Sequence, residues 1–275
     1  SVCVSVLDII FKFIKYYVLQ YTSGMPDIKI TQHMLNNIEY DRDSSAQSEK
    51  VSGKMADVGC KCTPTVLIVC DKADLNAAAY HLAQSLQSPL AAEVIVTVLV
   101  AESIRKPFLE RLQPQLTAIP AEAAQDVERN RVLALINNHS WETISVNELG
   151  ANSPVLVCDV THDHLGTGYN GIATLHTFRT VQEAISLCGK ETLKAVNASI
   201  WTSHHASAYE IALKIACDNI FIDCHQISLE PLQKSSSASG NASCALVENN
   251  YHYETLILKN GRKNIVFPIG TAITN

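Results

Sequence analysis

Residues 66–75 read Val-Leu-Ile-Val-Cys-Asp-Lys-Ala-Asp-Leu, and their reading decides the class of fold. Residues 66–70 form a continuous apolar run, the length and character of a strand buried on both faces. From Asp74 to Leu86 the apolar residues Leu75, Ala78, Ala79, Leu82 and Leu86 recur at helical spacing. Residues 94–100 are rich in β-branched side chains and predict a second buried strand. Two buried strands joined by a helix are the unit of a parallel sheet.

The alternation continues toward the C-terminus. Helices are predicted over residues 103–112 and 126–137, and a strand over 154–160. Another strand at 175–178 leads into a helix at 180–188. There Thr180 and Glu183 stand three apart as a capping box. Strand 198–201, helix 206–216 and strand 220–224 follow. The Ser-rich residues 235–243 read as a flexible loop, and residues 251–259, from Tyr251 to Lys259, as a last strand. The expected fold is α/β: a largely parallel sheet with helices on both faces and a C-terminal edge strand. No internal repeat is present.

Upstream the character differs. Residues 1–61 read as a tail and linker, with a polar stretch at 41–50, and the folded domain as residues 62–275. Residues 2–19 are apolar, but Asp8, Lys12 and Lys15 interrupt them. A membrane span needs about 20 uninterrupted apolar residues. An interfacial helix is the alternative to a poorly ordered tail. The 275 residues are 47% hydrophobic and 17% charged, with net charge −6. That balance excludes the basic stripe of a nucleic-acid binder. The nine cysteines are odd in number and scattered through apolar runs. This points to reduced thiols and a cytoplasmic protein.

The ordered segments carry a resemblance. Residues 66–75 resemble the strand and "DADL" helix start of aldehyde dehydrogenases, and residues 98–112 the strand and helix that follow the nucleophile loop in that family. Pro154-Val155-Leu156-Val157-Cys158-Asp159-Val160-Thr161-His162-Asp163 is similar to "PTVLTDVTPD". Residues 178–185 resemble "F-x-T-x-x-E-A-I". Residues 198–202 resemble "A-S-V-F/W-T", and residues 220–224 resemble "V-W-I-N-C". Ala245-Leu246, Tyr251 and Glu254-Thr255-Leu256 are similar to the family's terminal strand. The resemblance covers residues 62–259 and implies the catalytic domain without the coenzyme domain. A fruit-fly family of short aldehyde-dehydrogenase-like proteins has the same layout.

What the resemblance implies about chemistry is mostly loss. Aldehyde oxidation needs a cysteine thiolate. Its position falls on Leu90-Ala91-Ala92-Glu93-Val94, near Ala92, and no cysteine occurs between Cys70 and Cys158. The general base of "E-L-G-G-K" has only Asp57 as a shortened counterpart. The ribose-binding glutamate falls on Thr167. Glu93 and Asp57 are thus weak catalytic candidates. No cofactor is expected.

Other motifs carry less. Residues 166–171 spell G-x-G-x-x-G, but a strand follows where a nucleotide-binding loop needs a helix. His162-Asp163-His164 and His204-His205 read as surface-loop histidines, with no matching metal ligands at useful spacing. Cys60, Cys62 and Cys70 do not have zinc spacing. Cys224 and His225, as strand neighbours, point apart.

The expected protein is a non-catalytic aldehyde-dehydrogenase-like molecule acting in binding or assembly. It forms a homo-oligomer or heteromer through Tyr251 to Lys259. Membrane contact through residues 2–19 is the lesser reading for partners. The alternative is a divergent oxidoreductase or hydrolase using the remnant pocket with Glu93.

Overall fold

A computed structural model describes residues 62–166, 170–239, 243–259 and 261–270, without the side chains of 236–239. The tail-and-linker reading of residues 1–61, Asp57 and Thr167 fall outside the described residues.

In chain order the elements are β1 (Thr63–Val69), α1 (Leu75–Gln87), β2 (Glu93–Ala101), α2 (Arg105–Leu112), α3 (Ala121–Ala124), α4 (Val127–His139), β3 (Thr143–Ile144), β4 (Val155–Cys158), α5 (His162–Leu165), β5 (Ile172–Phe178), α6 (Val181–Lys190), β6 (Asn197–Trp201), α7 (His205–Lys214), β7 (Asn219–Ile222), α8 (Glu230–Ser239), β8 (Cys244–Glu248), β9 (Tyr251–Leu258) and β10 (Gly261–Pro268). The strands form one sheet in the order β3-β4-β5-β2-β1-β6-β7-β10-β9-β8. The run from β4 to β10 is parallel. The antiparallel pairs lie at the two ends.

The apolar run at 66–69 is explained by two-sided burial. Leu67 and Val69 pack with Ala78, Leu82, Leu86 and Phe108 on one face. Val66 and Ile68 pack with Ala208, Ile211 and Ala212 on the other. Helices α1, α2 and α8 cover the first face; α4, α6 and α7 cover the second. Alternation within a strand then puts apolar side chains on both layers.

Local chemistry sets the helix starts. Asp74 Oδ1 accepts from the N–H groups of Asn76 (3.0 Å) and Ala77 (3.1 Å) at the head of α1. Asp126 caps α4 by accepting from Arg129 N–H. The capping box at α6 forms in a modified way. Thr180 Oγ1 accepts from Glu183 N–H, and Glu183 Oε2 accepts from Arg179 N–H at 2.8 Å, one residue before the cap.

Three expectations need correction. Residues 235–239 are the end of helix α8, not loop. Residues 244–248 and 261–268 are strands that the sequence reading leaves unassigned. The strand expected at Tyr251 to Lys259 forms over Tyr251–Leu258, but β8 and β10 flank it on both sides. Among the described residues the free edge at this end is therefore β8, because residues 261–268 turn back and pair with β9. No helix among the described residues is long and apolar enough to cross a membrane.

Candidate functional site

Parallel strands leave a crevice beyond their carboxyl ends, where the loops diverge. Here a cleft of about 630 Å³ opens beyond β1, β6 and β7. Its walls include Lys72 and His81 from the β1–α1 segment, Trp201 and Thr202 from the end of β6, and Asp223 and His225 from beyond β7. Lys72 and Asp223 both adopt left-handed backbone, with φ of 60° and 51°. Left-handed geometry in residues other than glycine is uncommon, and here it turns the chain sharply at two strand ends. His81 stacks on Trp201 with ring centroids 5.6 Å apart and lies 5.1 Å from His225. Trp201 is anchored by its indole N–H donating to Ser199 Oγ at 2.9 Å.

Burial governs the charges in this cleft. The Asp223 carboxyl is pushed up by desolvation, which outweighs the hydrogen bond it accepts from Thr202 N–H. His225 is pushed down to about 4 by burial and by neighbouring His81. Burial also lowers His81. Both imidazoles are neutral near pH 7, and His225 Nδ1 is buried without a hydrogen-bond partner. Two thiols lie close. Cys70 is pushed up to about 12 by burial and then by Asp71 and Asp223. Cys224 is pushed up chiefly by burial, and its Sγ donates to the Val266 carbonyl at 3.5 Å. It packs with Phe221, Tyr253 and Val266. Neither thiol is a thiolate at neutral pH, so neither is a ready nucleophile.

Ala92, where the sequence reading expects the nucleophile position to fall, is exposed just before β2. Its carbonyl accepts from Thr63 N–H at 2.6 Å. Glu93 is half-buried and lines a smaller cavity of about 230 Å³ beside Ser85 and Ala91. His81 and His225 line this cavity and the larger cleft. Glu93 and the two imidazoles thus share one groove. The sequence reading singles out Glu93 but not His81, Trp201 or Asp223, which only the three-dimensional fold brings together.

The reading of His162 as a surface-loop histidine is overturned: it is 1% exposed. Its Nδ1 pairs with Glu191 Oε1, and His176 Nε2 lies 3.5 Å from Glu191 Oε2. Glu191 is 3% exposed. Desolvation would raise its carboxyl, but the hydrogen bonds from His162 and the His176 imidazole 3.5 Å away together hold it down at about 2. His164 is exposed, as expected, while His204 and His205 are half-buried. Among the described residues, no cluster of three or more His, Cys, Asp or Glu could hold a metal ion. The expectation of reduced cysteines holds for Cys70, Cys158, Cys188, Cys217, Cys224 and Cys244. It fails at Cys62, which is disulfide-bonded.

The family model described as "Protein of unknown function (DUF1487)" matches residues 61–273. No curated protein matches the chain. Among solved structures, lactaldehyde dehydrogenase from Escherichia coli is similar at 20% identity and a TM-score of 0.48, over 62% of this chain and 40% of that one. NAD-dependent aldehyde dehydrogenase from Sinorhizobium meliloti shows 19% identity and a TM-score of 0.48, over 61% and 38%. A putative aldehyde dehydrogenase from Burkholderia cenocepacia shows 18% and 0.47, over 58% and 39%. The chain thus spans less than half the length of these structures.

Proposed function

Because the chain belongs to the protein family of unknown function DUF1487, whose description names no activity, we propose a role from its own geometry: a non-catalytic module that binds a small ligand in the cleft beyond β1, β6 and β7 and assembles with other chains. The observation that carries this reading is the state of the thiols. Cys70 and Cys224 are held protonated by burial beside the cleft, and the residue that the family resemblance aligns with a nucleophile is the exposed alanine Ala92. Thiohemiacetal formation requires a thiolate aimed at the carbonyl carbon. The cleft itself offers a stacked aromatic wall, a desolvated carboxyl at Asp223 and an unpaired imidazole nitrogen at His225. A pocket of this size with a few convergent polar groups suits a small molecule.

Glu93 supports a second reading. It shares a groove with two neutral imidazoles, which are general-base candidates at pH 7. Hydrolysis of an ester by activated water is the chemistry such a groove favours. One assay separates the readings. The protein is incubated with NAD and a panel of aldehydes, and separately with activated esters. The binding reading expects neither NADH nor ester turnover. NADH formed in proportion to protein would overturn it. Ester turnover lost in Glu93→Gln would replace it with the hydrolase.

A further inference from the structure

Two opposite charges, Lys72 and Asp223, line the cleft beyond β1, β6 and β7. Among the described residues neither has an ion-pair partner, and they do not pair with each other. Each sits at a left-handed turn just past a strand, Lys72 (φ 60°) after β1 and Asp223 (φ 51°) after β7. For a lysine this backbone is uncommon, and the surrounding structure must hold it there. Strand β6 lies between β1 and β7. Neighbouring strands are about 4.8 Å apart, so the two turns stand about 10 Å from each other. Trp201 and Thr202, at the end of β6, line the cleft along with them.

The other acid and the imidazoles of the cleft are already accounted for. Asp74 Oδ1 accepts from two N–H groups at the head of α1, where the helix dipole favours a negative charge. His81 and His225 are neutral near pH 7, because burial lowers both. Asp223 differs. It accepts from Thr202 N–H at 2.9 Å, yet burial raises its carboxyl against that bond and against nearby His205, and Asp74 adds to the rise. A cation would relieve it. A simple cation drawn to Asp223, however, would meet the field of Lys72. A simple anion drawn to Lys72 would meet Asp223 and Asp74. A molecule carrying both charges satisfies both walls.

We propose that the ligand of this cleft is a zwitterionic amino acid with an aromatic side chain, its carboxylate on Lys72, its ammonium on Asp223 and its ring against the His81–Trp201 wall, an assignment that rests on the small-ligand reading of the cleft. The exposed Lys72 has a flexible four-carbon stem, long enough to close the rest of the gap over the end of β6. The stacked His81 and Trp201 rings, 5.6 Å apart, offer an aromatic face or edge to a third ring.

The test is calorimetric titration of the full chain with two sets of compounds: phenylalanine, phenethylamine and 3-phenylpropanoate, then tryptophan, tryptamine and indole-3-propionate. In at least one set the amino acid is expected to bind about tenfold or more tighter than both its amine and its acid. Lys72→Met is expected to reduce the amino acid to the affinity of its amine, while the amine binds no more weakly than before. Asp223→Asn keeps an oxygen for Thr202 N–H and tolerates the left-handed backbone; it is expected to reduce the amino acid to the affinity of its acid. Should it misfold, the Lys72→Met comparison still decides, because Lys72 is exposed. Equal affinity for amino acid, amine and acid overturns the assignment and leaves the small-ligand reading standing, as does a Lys72→Met chain that binds the amino acid like wild type. Failure of all six compounds to bind also overturns it. The small-ligand reading falls to a separate result, NADH or ester turnover in the assay above.

Discussion

Glu191 shows most sharply what a single residue does here. It ends α6, where its N–H donates to the Leu187 carbonyl, while its side chain reaches back to His162 at the start of α5 and His176 on β5. A carboxylate this deeply buried is tolerated only because imidazole and backbone N–H groups surround it. Removing its charge is expected to destabilise the protein by about 3 kcal/mol, the usual scale for breaking a buried pair; urea unfolding of Glu191→Gln measures it. The pH dependence follows. A carboxyl held at about 2 stabilises the fold above its ordinary value of 4.5, and that stability drains away as pH falls from 4.5 toward 2. His225, held near 4 against an ordinary 6.5, acts in the higher window. Its unfolded form binds a proton first, so stability falls as pH drops from 6.5 to 4. The melting temperature is expected to decline across both windows. Glu191→Gln is expected to flatten only the lower one. None of this cluster is legible in the sequence, because Glu191 stands 29 residues from His162 and nothing local marks either as buried.

Among the elements, those with a strong local signal were the readable ones. β1 and β2 are apolar on both faces because both faces are covered, so their runs stand out. α1, α4 and α6 begin at Asp74, Asp126 and Thr180, where short polar side chains satisfy free backbone N–H groups. Asp74→Ala removes an acceptor serving two donors and is expected to cost about 1 kcal/mol; thermal or chemical denaturation gives the value, and an unchanged midpoint would show that water replaces the cap. β8 and β10 were not legible for a physical reason. β8 is mostly exposed. β10 opens on Gly261, Arg262, Lys263 and Asn264, polar residues that suggest a loop until the carbonyls of Ile215 and Cys217 are seen to hold Lys263. The Ser-rich end of α8 likewise reads as a linker, although the helix continues through it.

For the whole molecule, the sheet order matters most. With β9 enclosed between β8 and β10, a partner strand would meet β8, whose Val247 is 65% exposed. Exposed edges invite pairing between chains, and a charge on the edge opposes it. Light scattering is expected to give a dimer mass that falls to one chain in Val247→Lys. A wild-type mass of one chain would remove assembly through this edge. The fold class and the alternation of layers could be read from the sequence. The candidate cleft could not, since Trp201, His81 and Asp223 converge only once β1, β6 and β7 lie side by side.

The position of β10 also sets an order of events. It pairs with β7 in parallel, and Asn264 meets Asn219, 45 positions earlier in the chain. As a nascent chain emerges from the ribosome, β7 has no neighbour on its outer side until β8, β9 and most of β10 have been translated. The β8–β9 hairpin can zip locally in that interval, but the sheet closes only when the later strand slides in between. A translational pause before residue 261 would therefore leave an unprotected apolar edge at the centre of the molecule, the state most open to capture by chaperones or to aggregation.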